Sequence, residues 1–91
     1  MEALSQPDTA AAHFRAYLEL RPEDNEVRNC FGILLAKQRR HGEAMACFHE
    51  ILHRDAKQAK AHNNLGAAYS DLGRYAEALG HFQQAIELWP D

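Results

Sequence analysis

Cysteine, surplus positive charge and long apolar runs are all scarce in this sequence, and each scarcity removes a class of protein. Cys30 and Cys47 are the two cysteines of a 91-residue chain. They fall on separate predicted helices with no second cysteine at chelating distance, so neither a disulfide framework nor a thiolate metal site follows from them. A nucleophilic pair of Cys30 with a histidine has nothing to single out one of the six histidines, and no oxyanion site accompanies it. Apolar runs are short: Phe31 to Ala36 is far below membrane-spanning length, and Met1 to Gln6 has neither the basic start nor the apolar stretch of a secretion signal. Ten Lys and Arg stand against thirteen Asp and Glu, a net charge of −3, so no broad positive field is available for a phosphate backbone. The cluster Lys37, Arg39, Arg40, His41 sits at a predicted helix end, where cations favour the helix dipole. No nucleic-acid partner, no membrane partner and a cytoplasmic setting are the expectations.

What is present is ordinary in amount, 46% hydrophobic and 25% charged residues, and informative in arrangement. From Asn63 to Pro90 two helical patterns flank a Gly73-Arg74 turn. Leu65 centres a stripe that includes Ala61, Ala68, Tyr69 and Leu72; beyond the turn Ala78, Phe82, Ala85 and Ile86 form another. Gly66 and Ala78 lack bulk where the two helices must approach, and Phe82 fills the gap. Shifting this pattern back by 34 positions turns Leu65, Gly66, Tyr69, Ala78 and Phe82 into Phe31, Gly32, Leu35, Ala44 and Phe48. A second shift reaches Ala10 and Phe14, while Pro90 maps through Ala56 to Pro22. The chain reads as a repeated helical hairpin whose first copy is halved.

The spacing of Leu65, Gly66, Tyr69, Ala78, Phe82, Ala85 and Pro90 resembles the tetratricopeptide repeat, a pair of antiparallel helices recurring about every 34 residues. His62 stands where the usual Trp of that family would be. The expected fold is an all-α solenoid of five helices, a single domain made of a half repeat (5–22) and two full repeats (25–58 and 59–91). Ser5 is the expected first cap with Pro7 in the first turn, and Asp24 or Asn25 caps the next helix, which runs to about Gln38 over Val27, Phe31, Leu34 and Leu35. A third helix from about Gly42 to Arg54 buries Ala44, Met45, Phe48, Ile51 and Leu52. Arg39 replaces the glycine of the later turn, so a strained or shifted turn is expected there. The 55–58 junction lacks the proline of the other two and is expected to be less sharply broken.

Both ends of such a stack leave apolar residues without a neighbour: Phe14, Tyr17 and Leu18 at the front, Leu79, Ile86 and Trp89 at the back. Self-assembly into a homo-oligomer through these ends is one functional reading.

His49-Glu50-Ile51-Leu52-His53 matches the His-Glu-x-x-His pattern of zinc hydrolases. Both histidines fall on the outer flank of their helix, and Ala56 and Ala59 occupy the places of a further Gly and a third His. His49 and His53 are therefore candidates for adventitious metal binding rather than catalysis; no catalytic residue and no cofactor is expected. His13, His62 and His81 read as surface or packing residues.

In the resembled family the first helices of successive units line a concave groove that binds peptide segments. The corresponding line here is Lys60, Asn64, Ala67 and Asp71, preceded one repeat earlier by Glu26, Cys30, Ile33 and Lys37, with Asn29 and Asn63 at the edge. Asn64 matches a position at which family members hold the backbone of a bound peptide through an amide; Cys30, its equivalent, interrupts that pattern. The resemblance implies a non-catalytic interaction module or scaffold that binds a protein or peptide partner. Ile33, apolar in a polar line, marks where a partner's apolar side chain would rest. Glu26 and Cys30 occupy two positions of the carboxylate clamp found in some members, which disfavours C-terminal chaperone tails. Opposite charges at repeat-equivalent positions predict ion pairs Glu26–Lys60 and Lys37–Asp71 across the groove floor.

Overall fold

A computed structural model describes the backbone of residues 2–88 and the side chains of residues 9–88. Five helices follow in order: α1 (Glu2–Leu20), α2 (Asn25–Lys37), α3 (His41–Arg54), α4 (Ala59–Asp71) and α5 (Tyr75–Leu88). Each packs on the next in sequence, and α2 also reaches α4. Two hairpins, α2–α3 and α4–α5, thus stack behind a single leading helix. No described helix is long and apolar enough to cross a membrane.

Close packing within each hairpin is set by a glycine facing a phenylalanine. A Cβ added to Gly32 would lie 2.5 Å from the Phe48 ring, and one added to Gly66 would lie 2.7 Å from Phe82. The core cluster joins Ala11, Phe31, Leu35, Ala44, Phe48, Ile51, Ala61 and Leu65, so it runs through the interhelical layers from α1 to α4. Leu72, expected on the buried stripe of α4, is exposed, because α4 ends at Asp71 and Leu72 is its C-cap. Val27, Leu34, Met45 and Leu52 are half-buried.

Side-chain capping is confined to the first of the two equivalent helix starts, since Gln58, the repeat equivalent of Asp24, makes no cap bond to α4. Asp24 caps α2, accepting the Val27 N–H at 3.1 Å. The Tyr17 hydroxyl donates to the same carboxylate at 2.6 Å, and that bond, ahead of the one from Val27, holds the Asp24 carboxyl below its ordinary value of 3.8. The unfolded chain therefore takes up this proton more readily than the folded one. Stability present above that ordinary value is lost as pH falls through the lower folded value. Urea titrations between about pH 2 and pH 5 are expected to show this acid-dependent component in the native chain and its absence in Asp24→Asn.

Within each hairpin the chain turns by the same paired hydrogen bonds. Arg40 N–H donates to Leu35 O and Arg74 N–H to Tyr69 O, both at 2.9 Å, while Arg39 N–H reaches Ala36 O and Gly73 N–H reaches Ser70 O, both at 3.0 Å. Such a helix end needs one left-handed residue. Gly73 supplies it at φ 79°, and Arg39 at φ 66°. The turn is strained but not shifted, since its hydrogen bonds superpose on those of the later copy. Arg39→Gly is expected to stabilise the chain by about 1 kcal/mol in urea unfolding, by removing the Cβ penalty of that conformation.

Three expectations are corrected. The first helix starts at Glu2, so Ser5 lies inside it and Pro7 falls beyond its first turn. The 55–58 junction is as sharp as the one at 21–24, because Asp55 does what proline does elsewhere: its carboxylate accepts from Lys57 N–H and from the Gln58 side chain, both at 3.1 Å. At the front, Phe14 and Leu18 are partly covered, although Phe14 still lines an open cleft. Both pack half-buried against the core, Phe14 stacked on Phe31 with centroids 5.5 Å apart. Arg15 covers the Phe31 ring at 5.4 Å and bridges to Glu43 of α3 at 3.1 Å.

Candidate functional site

The expected groove residues separate into three recesses. Ile33, Lys37, Asn64, Ala67 and Asp71 do converge, together with Ala36, Arg39, Phe48 and Ala68, on an open cleft of about 380 Å³ between α2 and α4. Glu26, Asn29 and Lys60 line a separate recess of about 50 Å³ beside Asn25, Ile51, Gln58 and Ala61. Asn63 and Lys60 face the open end of the stack, where Ala59, Phe82, Ala85 and Ile86 complete a cleft of about 350 Å³. Cys30 is exposed and lines none of these recesses.

In the larger interhelical cleft the floor is small and apolar, formed by Ala36, Ala67 and Ala68 with the buried edge of Phe48. Ile33 is 36% exposed on its wall. Charge stands at the rim: Lys37 and Arg39 on the first hairpin, Asp71 on the second. The predicted ion pairs do not form. Among the described residues neither Glu26 and Lys60 nor Lys37 and Asp71 come within 4 Å, although each pair shares a recess. The side chains that cross between the leading helices are amides: Asn64 Nδ2 donates to Asn29 Oδ1 at 2.6 Å. Cys30 could not accept this bond as an amide can, so Asn64 takes the residue beside its repeat equivalent. The bond uses one N–H of Asn64 and still leaves the other N–H and the carbonyl for a ligand.

Arg39, Ala36 and Ala68 were not foreseen at this cleft. Arg39, expected in a solvated helix end, lines this cleft from the turn after α2.

Two polar residues lie in the interior, Arg28 at 8% and His62 at 7% exposure; a packing role was expected for His62 and none for Arg28. They are repeat equivalents, and their bonds are equivalent too. Arg28 donates to the Pro22 carbonyl at 2.8 Å, and a ring nitrogen of His62 meets the Ala56 carbonyl at 3.2 Å. Each ties a leading helix to the end of the preceding helix. The signal available in the sequence was the 34-residue shift itself, applied to polar as well as apolar positions.

At the back, Leu79 and Ile86 are 58% and 63% exposed. Their equivalents Met45 and Leu52 are half-buried. Trp89 lies outside the described residues. At the front, Ala10, His13, Phe14, Tyr17 and Val27 line an open cleft of about 510 Å³, and Tyr17 is 40% exposed.

His49 and His53 are both exposed. His49 contacts His81 edge-on, with centroids 6.5 Å apart. Among the described residues no group of three or more His, Cys, Asp or Glu could hold a metal ion. Desolvation first, then the charges of His62 and His49, push the His81 imidazole below its ordinary range, and burial raises the Cys47 thiol.

Models of the tetratricopeptide repeat match residues 2–46 and 59–91. The chain belongs to the tetratricopeptide repeat family. Among solved structures, this tetratricopeptide chain is similar to YrrB, described as a TPR protein with an unusual peptide-binding site: TM-score 0.87, 31% identity, 98% of this chain and 46% of that one. It is similar also to MamA from MSR-1, at TM-score 0.85 and 29% identity over 94% of this chain and 49% of that one. By sequence it is 32% identical to the peroxisomal targeting signal receptor of Eremothecium gossypii over 82% of this chain. It is 39% identical to the Hsp70-Hsp90 organizing protein 1 of Glycine max over 62% of this chain. The chain spans 13% and 10% of those two proteins' lengths.

Proposed function

We propose that this tetratricopeptide chain is a non-catalytic protein-binding module whose cleft between α2 and α4 holds a segment of a partner protein. The functional units in this reading are 25–58 and 59–91, preceded by the half unit 5–22. The observation that carries it is Ile33, an exposed branched apolar side chain on the wall of an alanine-floored cleft with charged residues only at the rim. Such a surface suits an apolar anchor flanked by polar backbone contacts. An acidic group next to the anchor meets Lys37 and Arg39, and the unused amide groups of Asn64 face the ligand's backbone. The peptide-binding site of the YrrB neighbour and the receptor named among the relatives support a peptide ligand. Glu26 and Cys30 disfavour a terminal carboxylate, so an internal segment is preferred over the C-terminal tail of a chaperone. The free thiols of Cys30 and Cys47 accord with a reducing, cytoplasmic setting.

The test starts from a random-peptide library selected on the intact chain, followed by fluorescence anisotropy of the selected peptide. Ile33→Asp places a charge on the apolar wall and is expected to weaken binding at least about tenfold, a loss of about 1.4 kcal/mol or more, with the fold unchanged by circular dichroism. Unchanged affinity in that variant would remove the cleft from the account.

A second reading rests on Leu79 and Ile86, whose exposure contrasts with that of their covered equivalents Met45 and Leu52. Under it the back of one copy meets another copy. Light scattering then gives a mass above that of one chain that Ile86→Glu lowers and Ile33→Asp does not.

A further inference from the structure

The proposed groove does not use the three imidazoles gathered where α3, α4 and α5 meet. His62 of α4 stacks on His81 of α5 with centroids 5.5 Å apart, and His49 of α3 approaches the same ring edge-on. Hydrogen bonding fixes where the protons sit. The Ala56 carbonyl can only accept, so Nε2 of His62 carries a proton and donates to it at 3.2 Å. Nδ1 of His62 is then the acceptor across the 3.3 Å contact with His81, and Nδ1–H of His81 is the donor. His62 is buried and depends on these two partners.

We propose that His62, His81 and His49 form a proton-operated lock on the last hairpin: it stays closed while the His62–His81 pair is neutral or carries one added proton, and a second added proton expels His81 from the seam and loosens α5. One added proton fits on Nε2 of His81, where the bond to His62 survives and gains charge assistance. A proton added to His62 can go only to its Nδ1. Two N–H donors then face each other across 3.3 Å, and two cations share a seam largely closed to water. His62 is fixed by its backbone bond, whereas His81 is half-buried and is the ring that moves.

The surroundings do little to offset that repulsion. From α3 the ring facing His81 is His49, a third base rather than an acid. From α4, Tyr69 lies parallel to His81, 7° between planes and 5.5 Å between centroids, but Arg74 already stands 5.1 Å from the Tyr69 centroid, so a cationic His81 shares that ring with a guanidinium. On α5 itself Glu77 favours a charged His81, yet its carboxylate is engaged by Arg74. At the 55–58 junction the Asp55 carboxylate is taken by Lys57 N–H and the Gln58 side chain. Burial first, then the charges of His62 and His49, hold the His81 imidazole below its ordinary value of 6.5. The unfolded chain therefore binds that proton more readily, and the stability present above the ordinary value is lost as pH falls through the lower folded one.

The preceding seam shows what the scaffold accepts. Shifted by one repeat, His62 and His81 become Arg28 and Cys47, which line one cleft between α1, α2 and α3. There a permanent cation bonds the Pro22 carbonyl beside a thiol that burial keeps neutral. One cation at this place on a leading helix is tolerated; the paired imidazoles are what make the second seam proton-sensitive.

Urea unfolding of the intact chain is measured at pH 7 and pH 5, with a chelator and a reductant present, for the native sequence, His81→Cys and His53→Gln. His81→Cys copies the pairing of the first seam. Between the two pH values the unfolding constant of the native chain is expected to rise at least about tenfold more than that of His81→Cys, the effect of excluding one proton over more than one pH unit. His53, exposed and in no ring contact with the cluster, is the control, and His53→Gln follows the native chain. Asp24 and the remaining histidines contribute alike to native and His81→Cys chains and cancel in the comparison. Ring proton and nitrogen shifts of the native chain need no variant: His62 and His81 take up protons in two separated steps, and proton contacts between Tyr69 and His81 fade with the second. Equal pH dependence in native and His81→Cys chains, both rings titrating together at the ordinary value, or a Tyr69–His81 contact that persists once both rings are charged would overturn the lock.

Discussion

Phe48→Ala is expected to destabilise the chain by about 3–5 kcal/mol, the range for deleting a fully enclosed aromatic ring. Phe48 is 1% exposed. Its ring fills the gap opposite Gly32 and borders the interhelical cleft, so no neighbour can collapse into the vacated volume without closing the groove. For a domain whose whole stability is about 5–15 kcal/mol, this loss leaves a small margin. The matching fall in melting temperature is roughly 12–40 °C. Phe82→Ala, the equivalent deletion one repeat on, removes a ring that is half-buried at the open end, and about half that loss is expected. Urea unfolding of the two variants at several protein concentrations measures the difference. Equal losses would mean that the back of the stack is covered, as the self-assembly reading requires.

The second large effect comes from adding a single methyl group. Gly32→Ala and Gly66→Ala drive a Cβ to nearly the same distance from a phenylalanine ring, 2.5 Å and 2.7 Å. Both gain about 0.8–1.0 kcal/mol of helix propensity. They part in what the ring can do. Phe48 is 1% exposed and held within the core cluster, so the overpacking cost of about 1–3 kcal/mol outweighs the gain, and a net loss of up to about 2 kcal/mol is expected. Phe82 can swing toward the open end, so Gly66→Ala is expected to be neutral or slightly stabilising. Paired urea titrations decide it, and a larger loss at Gly66 would reverse the assignment of which end is open.

Much of this architecture was legible in the sequence because the repeat imposes one small-residue contact twice. Gly32 with Phe48 and Gly66 with Phe82 could be paired by counting, and Ala44 and Ala78 followed. Periodicity reports which face of a helix turns inward, but not how far a neighbour covers it. That is why Phe14 and Leu18, expected open, lie half-buried under α2, and why Leu72, expected inside, sits exposed past the end of α4. The groove was legible as a line of residues and not as a surface. Ile33, Lys37, Asn64, Ala67 and Asp71 meet in one cleft, whereas Glu26, Lys60 and Asn63 open elsewhere because the stacked helices divide that line.

Polar interior residues were the hardest to read. Arg28 and His62 are held by carbonyls at the ends of preceding helices, and those carbonyls have positions only once the chain has folded. The predicted ion pairs failed for a related reason. Opposite charges one repeat apart share a recess, but long exposed side chains gain too little from pairing to be drawn together, about 0–1 kcal/mol. The Asn64–Asn29 bond crosses the same helices with shorter side chains and less rotamer freedom to lose.

A nitrogen–proton correlation spectrum of the intact chain, recorded with and without a library-selected peptide, tests the binding surface most directly. The expected result is a continuous set of shifted amides at Ile33, Lys37, Asn64, Ala67 and Asp71, with the amides around Leu79 and Ile86 unmoved. Shifts confined to the α5 end, or spread evenly over both faces, would contradict a groove between the leading helices.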